Sequence, residues 1–139
     1  MKDKAFCDTN VFVYAFSSQE LEKYKTARAE LSKCLPVISQ QVLCEYSNVS
    51  LRKFGEKEEV VKNDVEEILG ISTFYDAKPV DVLKAIDIHK KYGYTFYDSM
   101  IITAALQSGC RKLYTEDMND GQMIEDKLEI VNIFADEKN

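Results

Sequence analysis

Short apolar runs alternate with longer amphipathic stretches along the chain. That alternation marks βαβ units, in which buried strands are joined by helices with one apolar face. Ala5-Phe6-Cys7 predicts a buried strand ending at Asp8. Leu21, Tyr24, Ala27 and Leu31 recur three and four residues apart and predict a helical stripe. Pro36-Val37-Ile38 predicts a second strand closed by Ser39, a good N-cap for a helix over residues 40–54, with Gly55 just past its end. A charged helix over 56–69 ends at Gly70, and a third strand follows over 71–75. Pro79 opens another helix, which Lys90, Lys91 and Gly93 close. A strongly apolar helix over 96–108 stops at Gly109. A fourth strand over 112–115, a short helix over 121–126 and a fifth strand over 128–133 complete the pattern.

Five short strands separated by helices imply an α/β fold: a mainly parallel sheet with helices on both faces. In such sheets, ligands bind beyond the carboxyl ends of the strands, at the topological switch point.

The length of 139 residues suits one domain spanning 1–139, and only 2 Pro and 5 Gly leave little room for a linker. Balancing 18 basic against 24 acidic residues gives a net charge of −6. A protein that coats nucleic acid by charge alone is thereby excluded, since it needs a basic face. An enzyme that meets nucleic acid through metal ions is not. The start of the chain, Met1-Lys2-Asp3-Lys4, lacks the apolar core of a signal peptide, and no apolar run is long enough to span a bilayer. A cytoplasmic protein with no membrane segment is expected. Cys7, Cys34, Cys44 and Cys110 form no CxxC pair and have only His89 for company, so a zinc site is not expected. Free thiols suit a reducing compartment, with Cys7 and Cys44 read as small buried hydrophobes.

Four carboxylates stand out by position. Asp8 directly follows the first expected strand, and Asp117 follows the fourth. Glu45 lies three residues after Val42 and four before Val49, on the apolar face of its helix. Asp98 shares its face with Ile101, Ile102 and Ala105. Blander roles exist: a turn or N-cap for Asp8 and Asp117, a helix-dipole carboxylate for Asp98, and an ion pair with Arg52 or Lys53 for Glu45. Yet carboxylates set against apolar neighbours either protonate or meet a cation. An all-oxygen ligand set favours Mg²⁺ or Mn²⁺, which polarise phosphoryl groups and activate water.

The stretch Phe6-Cys7-Asp8-Thr9-Asn10-Val11 resembles the first motif of PIN-domain nucleases. Gln41-Val42-Leu43-Cys44-Glu45, Phe96-Tyr97-Asp98-Ser99-Met100-Ile101 and Leu113-Tyr114-Thr115-Glu116-Asp117 resemble the other three, in the same order over nearly the whole chain. The length is similar to that of VapC-like toxins of toxin–antitoxin pairs. The resemblance implies a three-layer α/β/α sandwich with a mainly parallel five-stranded sheet. It implies a Mg²⁺- or Mn²⁺-dependent endoribonuclease acting on RNA, a cognate antitoxin and a homodimer. Asp8, Glu45, Asp98 and Asp117 are then the metal-binding catalytic carboxylates. Asn10 and Thr115 match supporting polar positions. Glu116 and Asp120 crowd Asp117, and either is a further candidate; Asp120 could reach the ion through water or simply start the turn at Gly121.

Two rivals remain. Asp8 could be the nucleophile of an aspartyl phosphotransferase, although Asp8-Thr9-Asn10 lacks the second Asp that haloacid-dehalogenase-type phosphatases carry two residues on. A PIN-like domain could also serve as a non-catalytic scaffold for RNA or protein. His89 reads as a surface residue. Phe74-Tyr75 and the aromatics of residues 92–97 read as packing rather than as base-stacking platforms.

Overall fold

The computed structural model describes residues 2–17 and 19–135. The single domain expected over 1–139 therefore runs past the described residues at both ends. In chain order the elements are β1 (Lys4–Cys7), α1 (Thr9–Ala15), α2 (Leu21–Lys33), β2 (Leu35–Ser39), α3 (Gln40–Asn48), a π-helical turn (Val49–Lys53), α4 (Glu58–Ile71), β3 (Thr73–Tyr75), α5 (Pro79–Tyr92), α6 (Phe96–Gln107), β4 (Lys112–Tyr114), β5 (Met123–Ile124) and β6 (Leu128–Val131). The sheet order is β3-β2-β1-β4-β6-β5. All neighbours pair in parallel except β5 with β6.

The chain steps from β1 to β2 to β3 in one direction, then returns across the sheet to β4 beside β1. Right-handed crossovers then set α1–α4 on one face and α5 and α6 on the other. The packing agrees: α1 lies against α2 and α3, and α5 lies against α6. The core between the layers contains Phe6, Phe12, Ile38, Ile102, Leu113, Ile130 and Phe134, all fully buried. Each such side chain is stabilised by roughly 1.5–3 kcal/mol relative to exposure. Helix α6 is apolar nearly all round because it packs on β1 and β4 as well as on α5.

The apolar run 11–16, left unassigned by the pattern, lies mostly in α1, whose N-cap is Asp8. The expected helix over 40–54 is α3 continued by the π-helical turn, and Gly55 beyond it takes φ +62°, where a side chain is disfavoured. The sheet has six strands rather than the expected five. The sixth, β5, replaces the short helix expected over 121–126. There Glu125 and Asp126 both take positive φ, and Lys127 N donates to Ile124 O at 3.0 Å, closing a tight turn onto β6. Such turns usually advertise themselves with Asn or Gly; two acidic residues do not. Cys44 is exposed rather than buried, because it lies two residues from Val42 and so on the other side of α3. Tyr92 and Tyr94 pack against the core as expected, but Phe74 and Tyr97 are exposed. Among the described residues, no helix is long and apolar enough to cross a membrane.

Candidate active site

The switch point falls between β1 and β4, since connections leave these neighbours in opposite directions. Their carboxyl ends deliver Asp8 and the 115–117 segment to the same place. The start of α3 after β2 and the start of α6 point to that end too. Asp8, Glu45, Asp98 and Asp117 accordingly line one cleft of about 330 Å³, together with Thr9, Asn10, Asn48 and Val49.

Each carboxylate has its own anchor. Asp8 caps α1: Oδ1 accepts from Thr9 N at 2.8 Å, and Oδ2 accepts from Thr115 Oγ1 at 2.9 Å. Glu45 Oε1 accepts from Thr9 Oγ1 at 2.9 Å, and Oε2 from Gln41 Nε2 at 3.4 Å. These partners are neutral, and the alternative ion pair with Arg52 or Lys53 does not form. Asp117 Oδ2 accepts from Asn10 Nδ2 at 2.9 Å. Asp98 is the third residue of α6, where its N–H donates to the capping Thr95 Oγ1. Asn10 and Thr115 thus each bond a carboxylate of the cleft, but across it: Asn10, near Asp8 in sequence, meets Asp117, and Thr115, near Asp117, meets Asp8.

Glu116 and Asp120 point elsewhere. Glu116 pairs with Lys23 at 2.7 Å, and Asp120 Oδ1 accepts from Asn132 N at 2.8 Å, tying the turn before β5 to the end of β6. Thr9, Gln41 and Asn48 were not singled out in the sequence. Thr9 follows Asp8 directly, and Gln41 and Asn48 lie four residues before and three after Glu45. Helical spacing from an acknowledged carboxylate is the signal that could have found the last two.

Burial is the main cause that pushes the Asp8 carboxyl up to about 6 from 3.8. The hydrogen bonds from Thr9 and Thr115 oppose the rise, and the charges of Glu45 and Asp98 add to it. Asp98 is also raised, by burial first and then by the charge of Asp117, against the hydrogen bond from Thr95. A carboxylate serving only a helix dipole is stabilised in its charged form and shifts down. The upward shift of Asp98 shows that burial outweighs any help from the helix end, with the charge of Asp117 adding to it.

Among the described residues, no three His, Cys, Asp or Glu side chains are gathered tightly enough to cage an ion as they stand. The donor set nevertheless fits a hard cation: the cleft offers carboxylate and amide oxygens with no His or Cys, and its charges penalise one another in a way a cation would relieve.

The PIN-domain family model matches residues 5–119. The chain belongs to the PIN-domain family. No curated protein matches this PIN domain in sequence. Solved structures do resemble it. One is VapC20 of Mycobacterium tuberculosis, a toxin that cleaves the sarcin–ricin loop, with 15% identity and a TM-score of 0.69 over 83% of this chain and 91% of that one. A toxin–antitoxin complex from Klebsiella pneumoniae gives 18% identity and a TM-score of 0.69 over 93% and 97%. VapBC2 of Rickettsia felis, bound to a promoter DNA fragment, gives 18% and 0.66 over 93% and 99%. At these identities the likeness establishes the α/β PIN fold with its mostly parallel sheet, as the motif resemblance implied.

Proposed function

We propose that this PIN domain is a Mg²⁺- or Mn²⁺-dependent endoribonuclease, the cytoplasmic toxin of a toxin–antitoxin pair. One observation carries the reading. Four carboxylates from four separate segments line a single cleft at the switch point of the sheet. Asp8, Glu45, Asp98 and Asp117 would hold the ion. When bound, the ion stabilises developing phosphate charge and lowers the pKa of water for attack on the phosphodiester. The chain's own residues supply the frame. Asn10 fixes Asp117, Thr115 and Thr9 fix Asp8, and Thr9 also fixes Glu45. Exposed Tyr97, adjacent to Asp98, offers an aromatic face to an RNA base, and Arg52 and Lys53 lie on the turn that continues α3 past the cleft.

The antitoxin partner is supported by the toxin–antitoxin complexes among the similar structures. A homodimer is supported by the outward face of α5, where Val80, Val82, Leu83 and Ile86 are exposed. The phosphotransferase reading fits less well, because the residue two positions after Asp8 is Asn10, committed to Asp117, rather than a second Asp. The scaffold reading leaves the convergence of four acidic residues on one cleft without a purpose.

Expression in a bacterial host tests the toxin reading. Wild-type protein is expected to arrest growth and to leave internal breaks in cellular RNA, while Asp8→Asn at matched levels does neither. Growth and RNA that are the same with both proteins would count against the toxin.

A further inference from the structure

Glu116 sits between two residues of the candidate site, Thr115 and Asp117, yet turns away from the cleft. Both of its oxygens are taken. Oε1 accepts from Tyr14 OH at 2.8 Å, and Oε2 accepts from Lys23 Nζ at 2.7 Å. Lys23 also donates to Tyr14 OH at 3.2 Å, closing a triangle across α1, α2 and the segment after β4. The ammonium stands 4.7 Å from the centre of the Tyr14 ring, and Tyr14 meets buried Phe134 edge-on at 5.0 Å. The Lys23 and Glu116 side chains are only 21% and 13% exposed, so this pair is shielded far better than an ordinary surface ion pair.

Neighbouring residues in an irregular segment share one backbone. Pinning Glu116 outward therefore limits where Thr115 and Asp117 can point. Thr115 Oγ1 then reaches Asp8, and Asp117 reaches Asn10. Without the lysine, Glu116 would lose its 2.7 Å ion pair and with it the tie to α2 that helps turn it outward.

We propose that Lys23 is a positioning residue for the carboxylate centre, acting through Glu116 to fix the 115–117 segment. The inference rests on the metal-site reading above and adds to it a residue from a helix that contributes nothing to the cleft lining. Groups that orient ligands from outside typically change metal affinity ten- to a hundredfold when removed.

The test is calorimetric titration of Mn²⁺ into the folded protein, with a thermal melt of each variant as a check on folding. Lys23→Met is expected to weaken Mn²⁺ binding about tenfold, and Glu116→Gln by a similar factor. Their combination is expected to weaken it no further than either alone, because both break one contact. Lys23→Arg keeps the charge and is expected to restore affinity to within about threefold of wild type. Melting temperatures that fall while Mn²⁺ affinity stays at the wild-type value overturn the proposal, leaving Lys23 a purely structural residue. Losses that multiply in the double variant overturn the latch as a unit. A wild type that binds no Mn²⁺ overturns the metal-site reading itself, and the positioning role with it.

Discussion

Asp8→Asn is expected to melt about 10 °C above wild type in EDTA near neutral pH, while cutting RNA at least about a hundredfold more slowly. Gain in stability and loss of function have one cause. The Asp8 carboxyl is held at about 6 instead of 3.8, chiefly by burial. A shift of about two units corresponds to about 3 kcal/mol, and this penalty falls on the folded state whenever the group is charged. The unfolded chain releases the proton near 3.8 and the folded chain only near 6. Between those values the folded state binds more protons, so stability falls as pH rises through the window. Above it the full penalty persists; below it both states are protonated and the penalty vanishes. Asn never ionises, so its profile lacks this slope. Its Oδ1 can still accept from Thr9 N, which preserves the cap of α1, and its amide can donate to Thr115 Oγ1. Denaturant unfolding of both proteins in EDTA from about pH 4 to pH 7 checks the sign. Parallel profiles would remove Asp8 as the source of the slope.

Manganese is expected to reverse the order of the melts. At a hundredfold excess over its dissociation constant, Mn²⁺ stabilises wild type by about 2.7 kcal/mol. Asp98→Asn is expected to start higher in EDTA, because one repelling charge is gone, and then to gain far less from the ion. Asp98 has Thr95 as its cap, an arrangement that favours the charge, yet burial and Asp117 raise it. If helix polarity were its only role, Asn would be neutral or mildly destabilising, and both proteins would gain equally from Mn²⁺. Four melts, two proteins each with EDTA and with Mn²⁺, separate the cases.

The candidate carboxylates were legible from their positions and from the four motifs taken together. Asp8 and Asp117 closed apolar strands, while Glu45 and Asp98 sat on apolar helix faces. Their convergence in one cleft followed from the sheet order, which sets β1 beside β4 and was not legible in the alternation of strands and helices. What stayed hidden depends on contacts between distant parts of the chain. Glu116 reads as one more acidic residue near the site, and only its meeting with Lys23, 93 positions away, takes it out of the cleft. Asp120 is likewise claimed by Asn132. The hairpin of β5 was missed because its turn forces Glu125 and Asp126 into positive φ, a geometry that their residue types do not announce. Thr9 was passed over because a threonine after a capping Asp is unremarkable until it bridges Asp8 and Glu45.

The most direct measurement incubates purified protein with total cellular RNA in Mg²⁺, in Mn²⁺ and in EDTA, with Asp8→Asn alongside, and maps the ends produced. The cleft of Asp8, Glu45, Asp98 and Asp117 predicts internal breaks by wild type with either ion, none in EDTA and almost none by the variant. Wild-type cleavage that persists in EDTA, or that Asp8→Asn matches, would contradict the account.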